Sequence, residues 1–242
     1  MTDLRIARRF NGPADSGNGG YVAGLIAAQR HDSAEAGRAD TGNGTSSGSS
    51  APPTRVMLRA PAPLDVPLVL REGLLYDDHT VIAVSSEGTF ERDVPAAVTF
   101  DDARQASAAY TNDSEMFRYC FVCGTARPDG LRLAPGTVRE GVVAAPWVPA
   151  DSIPLDETVL WAAMDCPGGW ALPQMLERPA LLGSMTAKVF DLPAVGEECV
   201  VVGADQGEQG RKAFASTAVY GADGRLLGRA EQIWIRLNRV SD

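Results

Sequence analysis

Apolar and polar residues alternate in short runs along most of the chain, and in two places they gather into helical spacing instead. Residues 4–10 alternate weakly and predict a strand. Residues 19–29 follow as a short helix, with Tyr21, Val22, Leu25 and Ile26 at helical intervals. Strand-like runs then cover residues 55–60, 66–72, 80–87 and 95–100. The second half repeats the order: strands at 131–133 and 141–146, a helix at 156–164 opened by Asp156 and Glu157, then strands at 182–190, 198–204, 212–220 and 226–237. Tyr220-Gly-Ala-Asp-Gly-Arg225 reads as the turn between the last two. Both helices are apolar or small nearly all round, and Val159 to Met164 has no polar face, so each must be buried on most sides. One helix wrapped by a curved antiparallel sheet meets that need. Two such halves side by side give one long sheet with two central helices, an α+β architecture.

Two segments break the pattern. Residues 33–53 are almost wholly Ser, Thr, Gly, Ala, Asp and Pro without periodicity, and predict a flexible insertion after the first helix. Residues 101–115 are polar and rich in Ala and Ser near the middle of the chain, which places the domain boundary there: 1–110 and 111–242.

Composition narrows the chemistry. No run approaches the ~20 apolar residues of a membrane helix, and residues 1–20 lack the charged-then-apolar pattern of an export signal. A net charge of −9 argues against nucleic acid as a partner. Four cysteines without an export signal fit a reducing cytoplasm. Only two histidines, His31 and His79, leave little material for a His-based dyad or metal site, and His79 reads as a hairpin tip. Cys120-Phe-Val-Cys123 invites a zinc reading, but structural zinc wants four ligands, and Cys166 and Cys199 lie far away in sequence. The pair is expected to be a packed turn, with no metal. Gly17 to Gly20 has neither the dinucleotide fingerprint nor a phosphate loop. Arg5, Arg8, Arg9, Arg55 and Arg59 are expected on solvated faces.

The local motifs resemble the acyl-CoA thioesterase branch of the hotdog superfamily. Asn18-Gly-Gly-Tyr-Val-Ala-Gly-Leu-Ile-Ala27 is similar to the start of the hotdog helix, including that of type II acyl-CoA thioesterases. Asp156-Glu-Thr-Val-Leu-Trp-Ala-Ala-Met-Asp165-Cys-Pro-Gly-Gly169 resembles the stretch ending in an acidic residue and a later Gly-Gly in phenylacetyl-CoA-type enzymes. Cys120-Phe-Val-Cys-Gly124 followed by Asp129-Gly-Leu-Arg-Leu133 resembles their lead-in, and Gly224 to Gln232 the last strands of the type II enzymes. The resemblance implies a double hotdog: two tandem domains, each a central helix in an antiparallel sheet.

In the single-domain family one helix carries a Gly near its start and a carboxylate eight residues later. That is roughly 12 Å along the axis, too far for both to act on one carbonyl, so an antiparallel partner helix completes the site. Here the first helix has Asn18-Gly19-Gly20 but Ala27 where the carboxylate falls, and the second has Asp165 but Asp156-Glu157 where the glycines fall. Each half keeps what the other lacks, which predicts one composite site per chain with Gly19 facing Asp165. Pro167 is expected to disturb the second helix just past that acid.

The expected activity is hydrolysis of an acyl-CoA thioester to free acid and coenzyme A. Backbone N–H groups at Gly19 stabilise the developing oxyanion, Asp165 acts as base or nucleophile, and Gln232 orients water. Asn18 joins the catalytic group. Ser184, with Thr186 next, is the nearest match to the family's strand hydroxyl. Gly20, Gly168 and Gly169 are expected to border coenzyme A, which enters only as part of the substrate; no cofactor is expected. A homodimer is the expected assembly. Two rival readings are a non-catalytic acyl-thioester-binding protein and an enoyl-thioester hydratase or dehydratase, the latter lacking a His beside either motif.

Overall fold

The computed structural model of the protein describes residues 2–39, the last nine of these by their backbone, and 51–237. Eleven strands form one antiparallel sheet in the order β1-β3-β4-β5-β2-β8-β11-β10-β9-β7-β6. The first half supplies β1 (Thr2–Leu4), β2 (Thr54–Leu58), β3 (Leu68–Arg71), β4 (Leu74–Asp77) and β5 (Thr80–Glu87). The second supplies β6 (Gly136–Arg139), β7 (Val142–Trp147), β8 (Ala180–Val189), β9 (Cys199–Gln209), β10 (Lys212–Tyr220) and β11 (Leu226–Arg236). The halves join where β2 pairs with β8, Thr54 opposite Ala187 and Met57 opposite Ser184. Outward from that seam the neighbours run in matching order, β5-β4-β3 on one side and β11-β10-β9 on the other. This is the double hotdog expected from the motifs.

Helices α1 (Gly19–Ala39) and α3 (Glu157–Ala171) pack against the sheet and against each other, and α2 (Phe100–Ser107) lies by β6 and β7. Two glycines one turn apart set the α1–α3 spacing. A Cβ on Gly20 would lie 2.8 Å from the Trp161 carbonyl oxygen, and one on Gly24 2.9 Å from Thr158 Cα. Only glycine allows so close an approach. As α1 advances from 20 to 24 its contacts on α3 retreat, so the two helices run antiparallel.

Asp156 caps α3, accepting from the Val159 N–H at 2.8 Å, and residues 158–169 are all buried. Large side chains such as Trp161, Leu160 and Met164 are fully enclosed, each contributing about 1.5–3 kcal/mol by leaving water. Pro167 does not end this helix, which continues to Ala171. Proline removes one donor from the helical ladder, but the helix around it is fixed from outside. Gln232 Nε2 donates to the Met164 carbonyl at 2.6 Å and to the Asp165 carbonyl at 3.1 Å.

Other expectations change. Residues 8–10 form a 3-10 turn after the short β1 rather than a continued strand. Residues 95–100 form no strand; α2 begins at Phe100 with Thr99 as its cap, inside a stretch read as a boundary. Residues 131–133 pair with no strand. β4, which forms hairpins with the expected β3 and β5, was not anticipated. α1 runs ten residues past the expected end, into the segment read as an insertion, whose residues 40–50 lie outside the described ones. No described helix is long and apolar enough to cross a membrane.

Candidate active site

A turn at the start of α1 meets the middle of α3. Residues 11–17 close a small loop, with Asn11 and Gly17 bridged as in an antiparallel pair, and the Asn18 N–H donates to the Phe10 carbonyl at 2.8 Å. Phe10 stacks on Tyr21 at 4.0 Å between ring centroids, and Phe121 meets both edge-on. These contacts fix where Asn18, Gly19 and Gly20 sit.

Asn18 is buried and uses both ends of its amide. Its Oδ1 accepts from the Tyr21 N–H at 2.9 Å, capping α1, while Nδ2 donates to Asp165 Oδ2 at 2.7 Å. The Gly20 N–H donates to the same oxygen at 3.0 Å. Asp165 Oδ1 is buried without a hydrogen-bond partner among the described residues. One carboxylate oxygen is thus anchored and the other left with unused acceptor capacity. Burial pushes the Asp165 carboxyl up to about 7; the Gly20 N–H opposes that shift, the nearby Cys120 adds to it, and the Asn18 amide opposes it. An isolated carboxyl buried for packing alone would be an expensive choice.

Asp165 borders a cavity of about 240 Å³. Its lining is mostly apolar, with Leu58, Phe117, Leu182 and Trp234 among the walls and the exposed Arg59 included. Asn18 and Gly19 line it too. Of the N–H groups opening α1, those of Gly20, Tyr21 and Val22 are taken by Asp165, Asn18 Oδ1 and the Asn18 carbonyl. The Gly19 N–H has no acceptor among the described residues. The cavity therefore has an apolar lining bordered by Gly19, whose N–H has no acceptor among the described residues, and by Asp165, a set suited to a polarised carbonyl on an apolar chain.

Three of the expected site residues thus meet: Asn18, Gly19 and Asp165, with Gly20 holding the acid. The others do not join them. Gln232 is buried, but its amide is spent on the α3 carbonyls and on accepting from Trp234 Nε1 at 3.0 Å. It braces the helix carrying Asp165 and does not line the cavity. Ser184 and Thr186 point to the opposite face of the sheet. The β8–β11 register shifts at Gly183, so Leu182 opposite Trp234 faces the helices while Ser184 opposite Ile233 faces away. There Ser184 Oγ lies 3.3 Å from Arg55 Nε, and Thr186 sits opposite Arg55. Gly168 and Gly169 also leave the ligand role expected of them. Both are buried in α3, where a Cβ on Gly168 would collide with Gln232 Oε1 and one on Gly169 would lie 2.8 Å from the Trp234 ring. They let the helix lie on the sheet. His79 is exposed at the β4–β5 turn, away from the cavity lining.

Cys120 and Cys166 were not expected in the site, yet both line the cavity. The sequence signal was present in Cys120-X-X-Cys123, but only the fold reveals that Cys166 meets it.

No protein-family profile matches the chain, and no curated protein matches it. Solved structures do. A protein from Novosphingobium aromaticivorans provisionally named a thioesterase superposes with a TM-score of 0.60 at 14% identity, covering 98% of this chain and 95% of that one. One provisionally named thioesterase II from Thermobifida fusca gives 0.59 at 16% identity over 98% and 92%. The tesB protein of Mycobacterium avium subspecies paratuberculosis gives 0.57 at 12% identity over 97% and 91%. At these identities the likeness establishes the fold alone, a double hotdog.

Proposed function

We propose that the protein hydrolyses an acyl-CoA thioester to a carboxylic acid and free coenzyme A, at one composite site between its halves. The observation that carries this reading is the pairing across α1 and α3: Asp165 Oδ2 fixed by Asn18 and Gly20, with Oδ1 free and the Gly19 N–H without an acceptor. The acyl chain occupies the apolar cavity with its carbonyl oxygen toward Gly19, where a backbone donor stabilises negative charge as it develops. Asp165 Oδ1 takes a proton from water or attacks the carbonyl itself. The exposed Arg59 is the cation of the lining that meets coenzyme A phosphates. Coenzyme A enters as part of the substrate, and two chains associate as a homodimer.

The test is thiol release from acyl-CoAs running from acetyl to palmitoyl, plus one aryl thioester, with wild type and Asp165→Asn in parallel. Asparagine keeps an oxygen for the Asn18 and Gly20 donors, so the variant is expected to fold and to lose at least about 10²-fold in rate. A folded Asp165→Asn with full activity overturns the assignment. A second reading, a non-catalytic acyl-thioester-binding protein, draws on the placement of Gln232 and Ser184 outside the cavity. Saturable acyl-CoA binding without thiol release decides for it.

A further inference from the structure

The irregular segment between α2 and β6 carries Cys120 and Cys123, and α3 carries Cys166. All three thiols are free and buried, and their sulfurs lie within 4.8 Å of one another. Cys120 Sγ and Cys166 Sγ are 3.6 Å apart. That is far beyond a disulfide bond of about 2.05 Å. It is close to the sulfur–sulfur spacing of about 3.8 Å that a tetrahedral ion imposes at a zinc–sulfur distance near 2.3 Å.

The groups around the sulfurs point the same way. Three thiols packed for their apolar character need no donors around them. Here the Val122 N–H lies 3.4 Å from Cys120 Sγ, and Asn18 Nδ2 lies 3.9 Å from both Cys120 Sγ and Cys166 Sγ. Asn112, itself buried, donates through Nδ2 to the Phe117 and Cys123 carbonyls at 3.1 Å and 3.2 Å, with Cys123 Sγ 3.8 Å from the same nitrogen. The Val122 N–H thus serves Cys120, and the one Asn18 amide hydrogen not given to Asp165 is shared between Cys120 and Cys166, donors that serve thiolates better than thiols. Three thiolates this close repel one another in a buried site unless a cation lies among them.

We propose that Cys120, Cys123 and Cys166 bind one thiophilic divalent cation of the zinc class. Three thiol protons leave for solvent as three metal–sulfur bonds form, with no change of oxidation state. Three protein ligands leave a fourth position for water or a small ligand, and Cys120 and Cys166 place two of the sulfurs on the cavity. The ion would tie the irregular segment, which brings Phe117 and Cys120 to the cavity wall, onto α3. This revises the expectation of a metal-free packed turn, and it stands whether or not the cavity hydrolyses thioesters.

The experiment uses the full chain, purified reduced and without chelator. Elemental analysis counts zinc per chain, and cobalt(II) is titrated into stripped protein while thiolate-to-cobalt absorption is followed. One zinc per chain, a thiolate-to-cobalt band that saturates at one equivalent, and a melting temperature lowered by chelator are expected. Cys123→Ala should weaken cobalt binding at least tenfold, while Cys199→Ala, outside the cluster, should keep one equivalent. Should Cys123→Ala fail to fold, the wild-type titration carries the decision. The proposal is overturned if wild-type protein with four titratable thiols takes up neither zinc nor cobalt at micromolar concentration. Equal binding by wild type and folded Cys123→Ala overturns it as well.

Discussion

Replacing Gly20 with alanine tests whether the halves are held at the spacing the site needs. The new Cβ would lie 2.5 Å from Asp165 Cβ, 2.8 Å from the Trp161 carbonyl oxygen and 3.2 Å from Ala162 Cα. The last two are helix backbone, which cannot swing aside as a side-chain tip can. Restoring an ordinary carbon–carbon separation of about 3.5 Å moves α1 and α3 apart locally by up to about 1 Å. The Gly20 N–H, now 3.0 Å from Asp165 Oδ2, is then out of hydrogen-bond reach. Losing a hydrogen bond to a charged group costs about 1.5–3 kcal/mol. Overpacking adds about 1–3 kcal/mol, and the better helix propensity of alanine returns at most about 1 kcal/mol. The net loss is about 3 kcal/mol, or about 6–12 °C in melting temperature for a chain of this size. Gly19→Ala is the matched control. Its Cβ would meet Leu182 Cδ2 at 3.0 Å, Leu182 Cβ at 3.1 Å and Leu58 Cδ1 at 3.2 Å, all side-chain atoms, and the two methyl groups border a cavity into which they can shift. Thermal unfolding followed by circular dichroism on wild type and both variants is the assay. The reasoning is refuted if Gly20→Ala melts within about 2 °C of wild type, or if Gly19→Ala falls as far.

Three further outcomes follow from other parts of the fold. Gln232→Leu leaves the buried Trp234 N–H without its acceptor and removes the amide that two α3 carbonyls share with their helix partners, so stability should fall by about 1–3 kcal/mol; an unchanged urea midpoint refutes the bracing role. The Arg225 guanidinium, 2.7 Å from Glu197, holds that carboxyl down at about 2 against an ordinary 4.5. A carboxyl depressed in the folded state stabilises fully above its unfolded pKa and loses that contribution as pH falls through the folded one. The melting-temperature gap between wild type and Glu197→Gln should therefore narrow below about pH 5 and close only below about pH 2, and a constant gap refutes the pairing. Leu182→Phe narrows the cavity, so the preferred acyl chain should shorten; an unaltered profile across chain lengths excludes this cavity as the acyl site.

The parts legible in the sequence are those where one strong pattern has no competitor. α3 announces itself through an apolar run after a capping Asp156, and β10 and β11 through long runs around a Gly-rich turn. The composite pairing of Asn18 and Gly19 with Asp165 was legible because the two helices have complementary gaps. What escaped depends on contacts distant in sequence. Ser184 was misplaced because a bulge at Gly183 inverts the facing of every later residue on that strand. Gln232 was assigned to water because nothing local says that its amide meets helix carbonyls. The three-sulfur cluster escaped because Cys166 reaches Cys120 through the packing of α3. One signal was available and unused: the spacing of Gly20 and Gly24 marks a helix face built for close approach.

The two helix caps give the one composite site proposed for each chain a physical basis. Asn18 and Asp156 do the same work at equivalent places, each accepting from the N–H three residues on, at 2.9 Å and 2.8 Å. Nine residues after each cap stand Ala27 and Asp165. Because α1 and α3 run antiparallel, each cap lies at the end of the pair where the other helix carries that ninth residue. Asparagine has a second, donating end, and it uses it to hold Asp165. An ionised aspartate can only accept, so a carboxylate at position 27 would meet Asp156 as a like charge with no donor between them. Buried Ala27 avoids that conflict, and Thr158, at the place equivalent to Gly20, offers no gap for a second approach. The difference between an amide and a carboxylate at the two caps thus decides which end of the helix pair can hold a buried acid.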